Sequence, residues 1–79
     1  MTFERITVDK QILGGKPVIR GTRIPVTMIL ELLEDGLSFE EIIRDYYPQL
    51  QREDIQACLV YAKVVVDGEE VHYIQDIAS

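Results

Sequence analysis

The chain has 79 residues, one cysteine, one histidine and a net charge of −6. This length allows one domain, a single cysteine excludes an intrachain disulfide, and the sparse Cys and His content predicts no metal site. The sequence has no apolar run of membrane-spanning length and no charged-then-apolar leader, which predicts a cytoplasmic protein with no membrane contact. So small a domain buries only about 60% of its unfolded surface, and we therefore expect a homodimer.

The charge is unevenly distributed along the chain. Residues 1–26 contain five Lys and Arg residues against two acidic residues, a net charge of +3, whereas residues 27–79 contain three against twelve, a net charge of −9. This asymmetry indicates a basic face on an acidic body. The basic face would attract phosphates or an acidic protein surface, and the acidic body would repel DNA.

The first third of the chain predicts a small β arm over residues 1–25. Residues 3–8 alternate as in a short strand, residues 17–19 form a second extended stretch, and residues 22–26 extend again. Glycines and prolines separate these segments, and Gly21 is expected to supply a positive φ in a tight turn. A hairpin this short must pack on the helices or pair with another chain. The residues expected to shape the turns are Gly14, Gly15, Pro17, Gly21 and Pro25.

Three helices are predicted after the arm. The first begins at Pro25 in its first turn and ends at Gly36, a glycine placed as a C-terminal cap. The second covers residues 39–46, because Ser38 and Glu41 have the spacing of a capping box. Tyr46 is expected in its core face, with Tyr47 half-exposed.

The third predicted helix covers residues 51–65. Its apolar stripe has Leu59 at the centre, so Leu59→Ala is expected to be strongly destabilising, whereas Lys63 should face solvent. Cys58 lies on the same stripe and is expected to be a buried small hydrophobe. Asp67 and Gly68 predict the end of this helix, and the tail is predicted as an edge strand or a loose end.

These elements predict one mostly α domain over residues 1–79. It comprises the β arm at 1–25, a three-helix bundle at 26–66 and the tail at 67–79. Three short helices joined by tight turns are typical of a helix-turn-helix module.

The segment Gly14-Gly15-Lys16-Pro17-Val18-Ile19-Arg20-Gly21-Thr22-Arg23-Ile24-Pro25-Val26 resembles a long motif of domain-of-unknown-function family 433. Gly36-Leu37-Ser38, Glu41-Ile42, Tyr47-Pro48 and Asp54-Ile55 extend the resemblance over residues 4–65. The resemblance implies a homeodomain-like three-helix bundle with an N-terminal β arm. It also implies the antitoxin role of a bacterial toxin–antitoxin pair, beside a PIN-like nuclease toxin. The family brings no settled catalytic residues.

The expected binding site lies in the arm. A guanidinium matches carboxylates and phosphates bidentately, so arginines flanking Gly21 predict contact with a protein partner or with nucleic acid. The alternative is that they pair with acidic residues of their own or a neighbouring chain. Pro17 follows Lys16 where a nucleotide-binding loop has Ser or Thr, so no nucleotide is expected. The predicted partner- or nucleic-acid-binding residues are Lys16, Arg20, Thr22 and Arg23.

Three functions remain open from the residues. The chain is an antitoxin that neutralises a nuclease, a DNA-binding transcriptional regulator, or a structural homodimer with neither activity. Glu53 and Asp54 begin the third helix, which opposes direct DNA recognition by that helix; only Arg52, Gln56 and Lys63 would help it. No nucleophile has an evident base, so no catalytic residue, no enzyme activity and no cofactor are predicted.

Overall fold

The computed structural model of the chain describes the backbone of residues 4–78 and the side chains of residues 4–68. Two short antiparallel strands, β1 (Ile6–Thr7) and β2 (Val18–Ile19), form the arm, with Ile6 opposite Ile19. Pro25 adds an isolated antiparallel bridge to Val18. The predicted arm is therefore present, although its first strand is shorter than residues 3–8, and Phe3 lies outside the described residues.

The arm packs on the helices. Ile6, Ile19 and Ile24 are buried and join the same hydrophobic core as the helices. A two-stranded hairpin is not stable alone in water, and here the helices supply the apolar surface that it needs. Of the two alternatives predicted for the hairpin, the arm therefore packs on the helices of its own chain.

Helix α1 covers Val26–Glu34, and both of its ends are satisfied by nearby backbone. Pro25 stands just before the helix as its N-cap, and the Val26 N–H donates to the carbonyl of Pro17 at 2.9 Å. At the other end Gly36 has a φ of +93°. The Gly36 and Leu37 N–H groups donate back to Leu33 and Leu32, which is a Schellman motif and confirms the predicted cap.

Helix α2 covers Phe39–Asp45 and begins with the predicted capping box. The Glu41 N–H donates to the Ser38 hydroxyl at 3.1 Å, and the Ser38 N–H donates to the Glu41 carboxylate at 2.9 Å. The hydrogen bond from the Ser38 backbone is the main reason that the pKa of Glu41 lies below its ordinary value. The reciprocal pairing satisfies two donors that a helix start otherwise leaves unpaired.

Tyr46 was expected in the core, and that prediction is wrong. It is 52% exposed, whereas Tyr47 is half-buried and packs against the core. Tyr46 is the C-cap of α2, with a φ of −119°. The backbone therefore departs from helical geometry at Tyr46, and Tyr47 is the residue whose side chain packs against the core.

Helix α3 covers Arg52–Ala78 and corrects the prediction for residues 67–79. The backbone continues as helix through Asp67 and Gly68, where the sequence predicted an end followed by an edge strand or loose tail. Gly68 has no positive φ, and a glycine inside a helix costs only about 1 kcal/mol relative to alanine. Among the described residues, neither α3 nor a shorter helix is apolar enough over a bilayer's thickness to span one.

The inward face of α3 is centred on Ile55 and Cys58. Both side chains are fully buried, and burial raises the pKa of the Cys58 thiol to about 12. The expectation that Leu59 is the buried centre is wrong, since its side chain is 37% exposed. The inward face of α3 passes through Ile55 and Cys58, and Leu59 lies at the edge of that face. Leu50, which lies in the predicted link before α3, is a further buried core residue.

Replacing Ile55 with Ala should lower the free energy of unfolding by about 2–5 kcal/mol, since it leaves a cavity in the core. Leu59→Ala should cost clearly less, because part of that side chain already contacts water. Chemical denaturation monitored by circular dichroism measures both. A Leu59→Ala cost equal to that of Ile55→Ala would show that the helical phase described for α3 is wrong.

Candidate functional site

The tip of the arm is a four-residue turn, Arg20–Gly21–Thr22–Arg23, held between two buried isoleucines. The Ile19 N–H donates to the carbonyl of Ile24 at 3.0 Å, and the Thr22 N–H donates to the carbonyl of Ile19 at 3.0 Å. The second of these bonds closes a β-turn over residues 19–22, in which Gly21 is the third residue, and its φ of +79° is the value that a type II turn requires there. The predicted positive φ is confirmed, and the turn fixes both flanking arginine backbones on an ordered scaffold.

Thr22 stabilises this turn. Its hydroxyl donates to the carbonyl of Ile19 at 2.7 Å and accepts from the Ile24 N–H at 3.0 Å. Both interactions lie inside the turn, and the side chain is half-buried. Thr22 therefore shapes the turn, a role that sequence alone could not separate from direct contact with a partner.

The loop that joins β1 to β2 contains a feature that could not be predicted from the sequence. Leu13, Gly14 and Gly15 have successive φ values of +51°, +67° and +92°. Glycine adopts such values readily, but a leucine there carries backbone strain of about 1–3 kcal/mol. The left-handed turn leaves the apolar Leu13 side chain exposed beside Ile12. Such strain is typical of residues that a site holds in a fixed position.

An open groove of about 630 Å³ lies between the tip of the arm and the link that joins α2 to α3. Apolar side chains form much of its lining, and Arg23 is the one charged residue among the described residues that line it. We call this feature the arm groove. Its lining residues are Ile12, Gly21, Thr22, Arg23, Ile24, Pro25, Tyr47 and Gln49.

The predicted site residues separate into two sets. Gly21, Thr22, Arg23 and Pro25 line the arm groove. The side chains of Lys16 and Arg20 are exposed on the same arm but do not line the groove. The turn residues Gly14, Gly15 and Pro17 precede β2 and do not line it either. Tyr47 and Gln49, which do, were not predicted as site residues.

Arg5 anchors the arm to α3. Its guanidinium is 3.0 Å from the Asp54 carboxylate and 3.4 Å from the side-chain oxygen of Gln51. The other Asp54 oxygen accepts the Gln51 N–H at 2.8 Å, so Asp54 also caps the start of α3. The sequence analysis kept open that Arg20 and Arg23 pair with acidic residues of the chain. Arg5 forms an ion pair of that kind, with Asp54.

The beginning of α3 is poorly suited to DNA. Glu53 is exposed at its first turn. Arg52 pairs with Glu40 of α2, and its guanidinium lies 4.8 Å from the centre of the Phe39 ring. A cation held by an acid and an aromatic ring on its own chain contributes less to phosphate binding. Gln56 and Lys63 remain exposed on this helix.

A small three-helix bundle with an N-terminal β arm is thus the class of protein defined by the fold and site. The chain matches the family model described as "Protein of unknown function (DUF433)" over residues 6–62. It therefore belongs to the DUF433 family, and the resemblance noted in the sequence is confirmed.

A solved structure agrees with this assignment, and two further relatives are named only as uncharacterized proteins. The chain is similar to a DUF433 member protein from Anabaena variabilis ATCC 29413 whose crystal structure is solved. Their TM-score is 0.67 at 28% identity, covering 95% of this chain and 69% of the other. The present chain is also 38% identical over 60 residues to "Uncharacterized protein y4eO" of Sinorhizobium fredii. The match covers 76% of this chain but only 27% of that relative. An "Uncharacterized protein" of Archaeoglobus fulgidus is 65% identical over 24 residues, covering 30% of this chain and 67% of that protein.

Gly21→Val should destabilise the arm, whereas Gly21→Asn should be tolerated better. A Cβ at this position would meet no atom within 4 Å, so the cost comes from the backbone. A β-branched residue at positive φ carries strain of about 1–3 kcal/mol, and asparagine adopts this region more readily. Denaturation midpoints of the two variants measure the difference; equal midpoints would contradict the turn geometry.

DNA binding should be weak and strongly salt-dependent, because phosphates would meet only a few arm cations beside an acidic body. Titration of random duplex DNA, followed by fluorescence anisotropy at low and physiological salt, measures this. Tight binding that persists at high salt would show that α3 takes part in DNA recognition.

Proposed function

We propose that this protein is an antitoxin-type binding module that neutralises a metal-dependent nuclease through its basic arm. Such nucleases cluster carboxylates to hold a divalent cation. An arginine that pairs with these carboxylates competes with the cation and removes the activity. The observation that supports the proposal is the ordered turn, in which Arg23 lines the arm groove and Arg20 is exposed on the same arm.

Three properties of the arm support this proposal. Arg23 combines a charged group with apolar groove walls, and arginine beside apolar surface is typical of binding energy concentrated in few residues. The exposed cations Lys10 and Lys16 add to the positive field of the arm. The turn is rigidly hydrogen-bonded, so little ordering is required when a partner binds.

The proposal assigns binding and no catalysis to this chain, and it places the protein in the cytoplasm with its target. A transcriptional role through a helix-turn-helix is less well supported, because Arg52 is paired with Glu40 and Glu53 is exposed beside it. The homodimer expected from size stays a prediction, and the burial of the arm against the helices removes the arm as its necessary interface.

Arg20→Glu combined with Arg23→Glu should abolish neutralisation while leaving the fold intact, since both side chains lie at the surface. Losing one side of a buried Arg–carboxylate contact typically costs about 2–5 kcal/mol. The measurement is co-expression with the product of the neighbouring gene, followed by pull-down and assay of nuclease activity.

Arg44→Glu combined with Arg52→Glu is the matched control, because it changes the net charge equally at two exposed helix positions outside the arm. It should retain the partner. If the arginine variant folds normally and still captures the nuclease, the contact lies elsewhere. Capture of no nuclease by the unaltered protein would contradict the antitoxin role itself.

A further inference from the structure

Helix α3 carries apolar side chains that the bundle core does not bury. Leu59 and Val60 are partly exposed, at 37% and 42%, and Val66 is 57% exposed. Lys63 and Asp67 are exposed between and beside them. We call these five residues the outer face of α3. Their positions recur at spacings of three and four, which places them along one side of a helix.

The local sequence of this part of α3 is unfavourable for an isolated helix. Val64, Val65 and Val66 are consecutive β-branched residues, and Gly68 follows them closely. β-branched residues and glycine lower helix propensity, and helices in proteins are stabilised mainly by packing one face. The family match ends at residue 62, whereas α3 runs on to Ala78. The continuation therefore needs packing that the bundle core does not fully supply.

We propose that the outer face of α3 is the interface with a second copy of this chain, packed antiparallel. Under a two-fold axis that passes midway between Lys63 and Asp67, Lys63 of one copy faces Asp67 of the other, and this pair occurs twice. Neither residue forms an ion pair within the part of the chain that the structure describes. The Lys63–Asp67 part of the face is thus complementary to itself in charge, and the exposed Val66 lies beside it.

Self-association fits this face better than the nuclease does. An isologous interface needs one patch that matches itself, and Lys63 with Asp67 provides that match. A nuclease site rich in carboxylates would be repelled by Asp67 and attracted to the arm. A second copy would also supply the stability that a chain of this size lacks. The inference does not rest on the antitoxin role.

The first test compares two exposed valines. Val66→Glu should shift the full-length protein from dimer to monomer in sedimentation equilibrium at micromolar concentration. Burying a carboxylate in an apolar interface should weaken association by about tenfold or more. Val8→Glu is the matched control, since Val8 is 59% exposed but lies in the arm. It should leave the dimer unchanged, and circular dichroism checks that both variants keep their helices.

The second test uses charge and remains decisive if Val66→Glu fails to fold. Lys63→Asp and Asp67→Lys should each weaken the dimer, because like charges then meet across the axis, and the double variant should restore it. A monomeric unaltered protein, an equal effect of Val8→Glu, or no restoration by the double variant would overturn the proposal. Neutralisation assays on the same variants separate this result from the antitoxin role. A monomer that loses its nuclease through Val66→Glu would assign the face to that partner instead.

Discussion

The burial of the β arm against α3 is the interaction on which the rest of this structure depends. Ile6, Ile19 and Ile24 enter the same core as the helices, and Arg5 reaches across to Asp54. Neither the arm nor the helical bundle would be stable alone. The arm has too few strands, and the helices would expose the apolar surface that the arm covers. Folding of the bundle and presentation of the arm are therefore one event.

This coupling explains why the tip of the arm is ordered. Because Ile19 and Ile24 are buried at both ends of the tip, the four residues between them close as a tight turn. Gly21 allows the reversal and the Thr22 hydroxyl closes it from inside. Arg23 then stands at the groove because its neighbours are fixed. Specific binding follows from the position of the turn as much as from its charge.

The features that could be predicted from the sequence are those set by local backbone chemistry. Ser38 with Glu41 marks a helix start, and Gly36 and Gly21 mark positions of positive φ, because few other residues satisfy those geometries. The features missed depend on contacts between distant residues. Asp54 was expected only as an acid at the beginning of the third helix, whereas its carboxylate accepts hydrogen bonds from Arg5 and from the Gln51 N–H. The buried side of α3 is set by where α1 and α2 meet it, so periodicity alone placed Leu59 wrongly.

The uneven charge has a physical consequence for partner choice. Part of the acidity is used within the chain, since Asp54, Glu40 and Asp45 pair with arginines. Much of the remainder lies exposed on the helices, while Lys10, Lys16 and Arg23 lie exposed on the arm. A long polyanion such as DNA must cover more than the arm and then meets the acidic body, at an electrostatic cost. A compact acidic site can engage the arm without approaching the helices. The antitoxin role that we propose agrees with this distribution, because the arm cations suit a compact cluster of carboxylates and the apolar walls beside Arg23 add a contact surface for a protein.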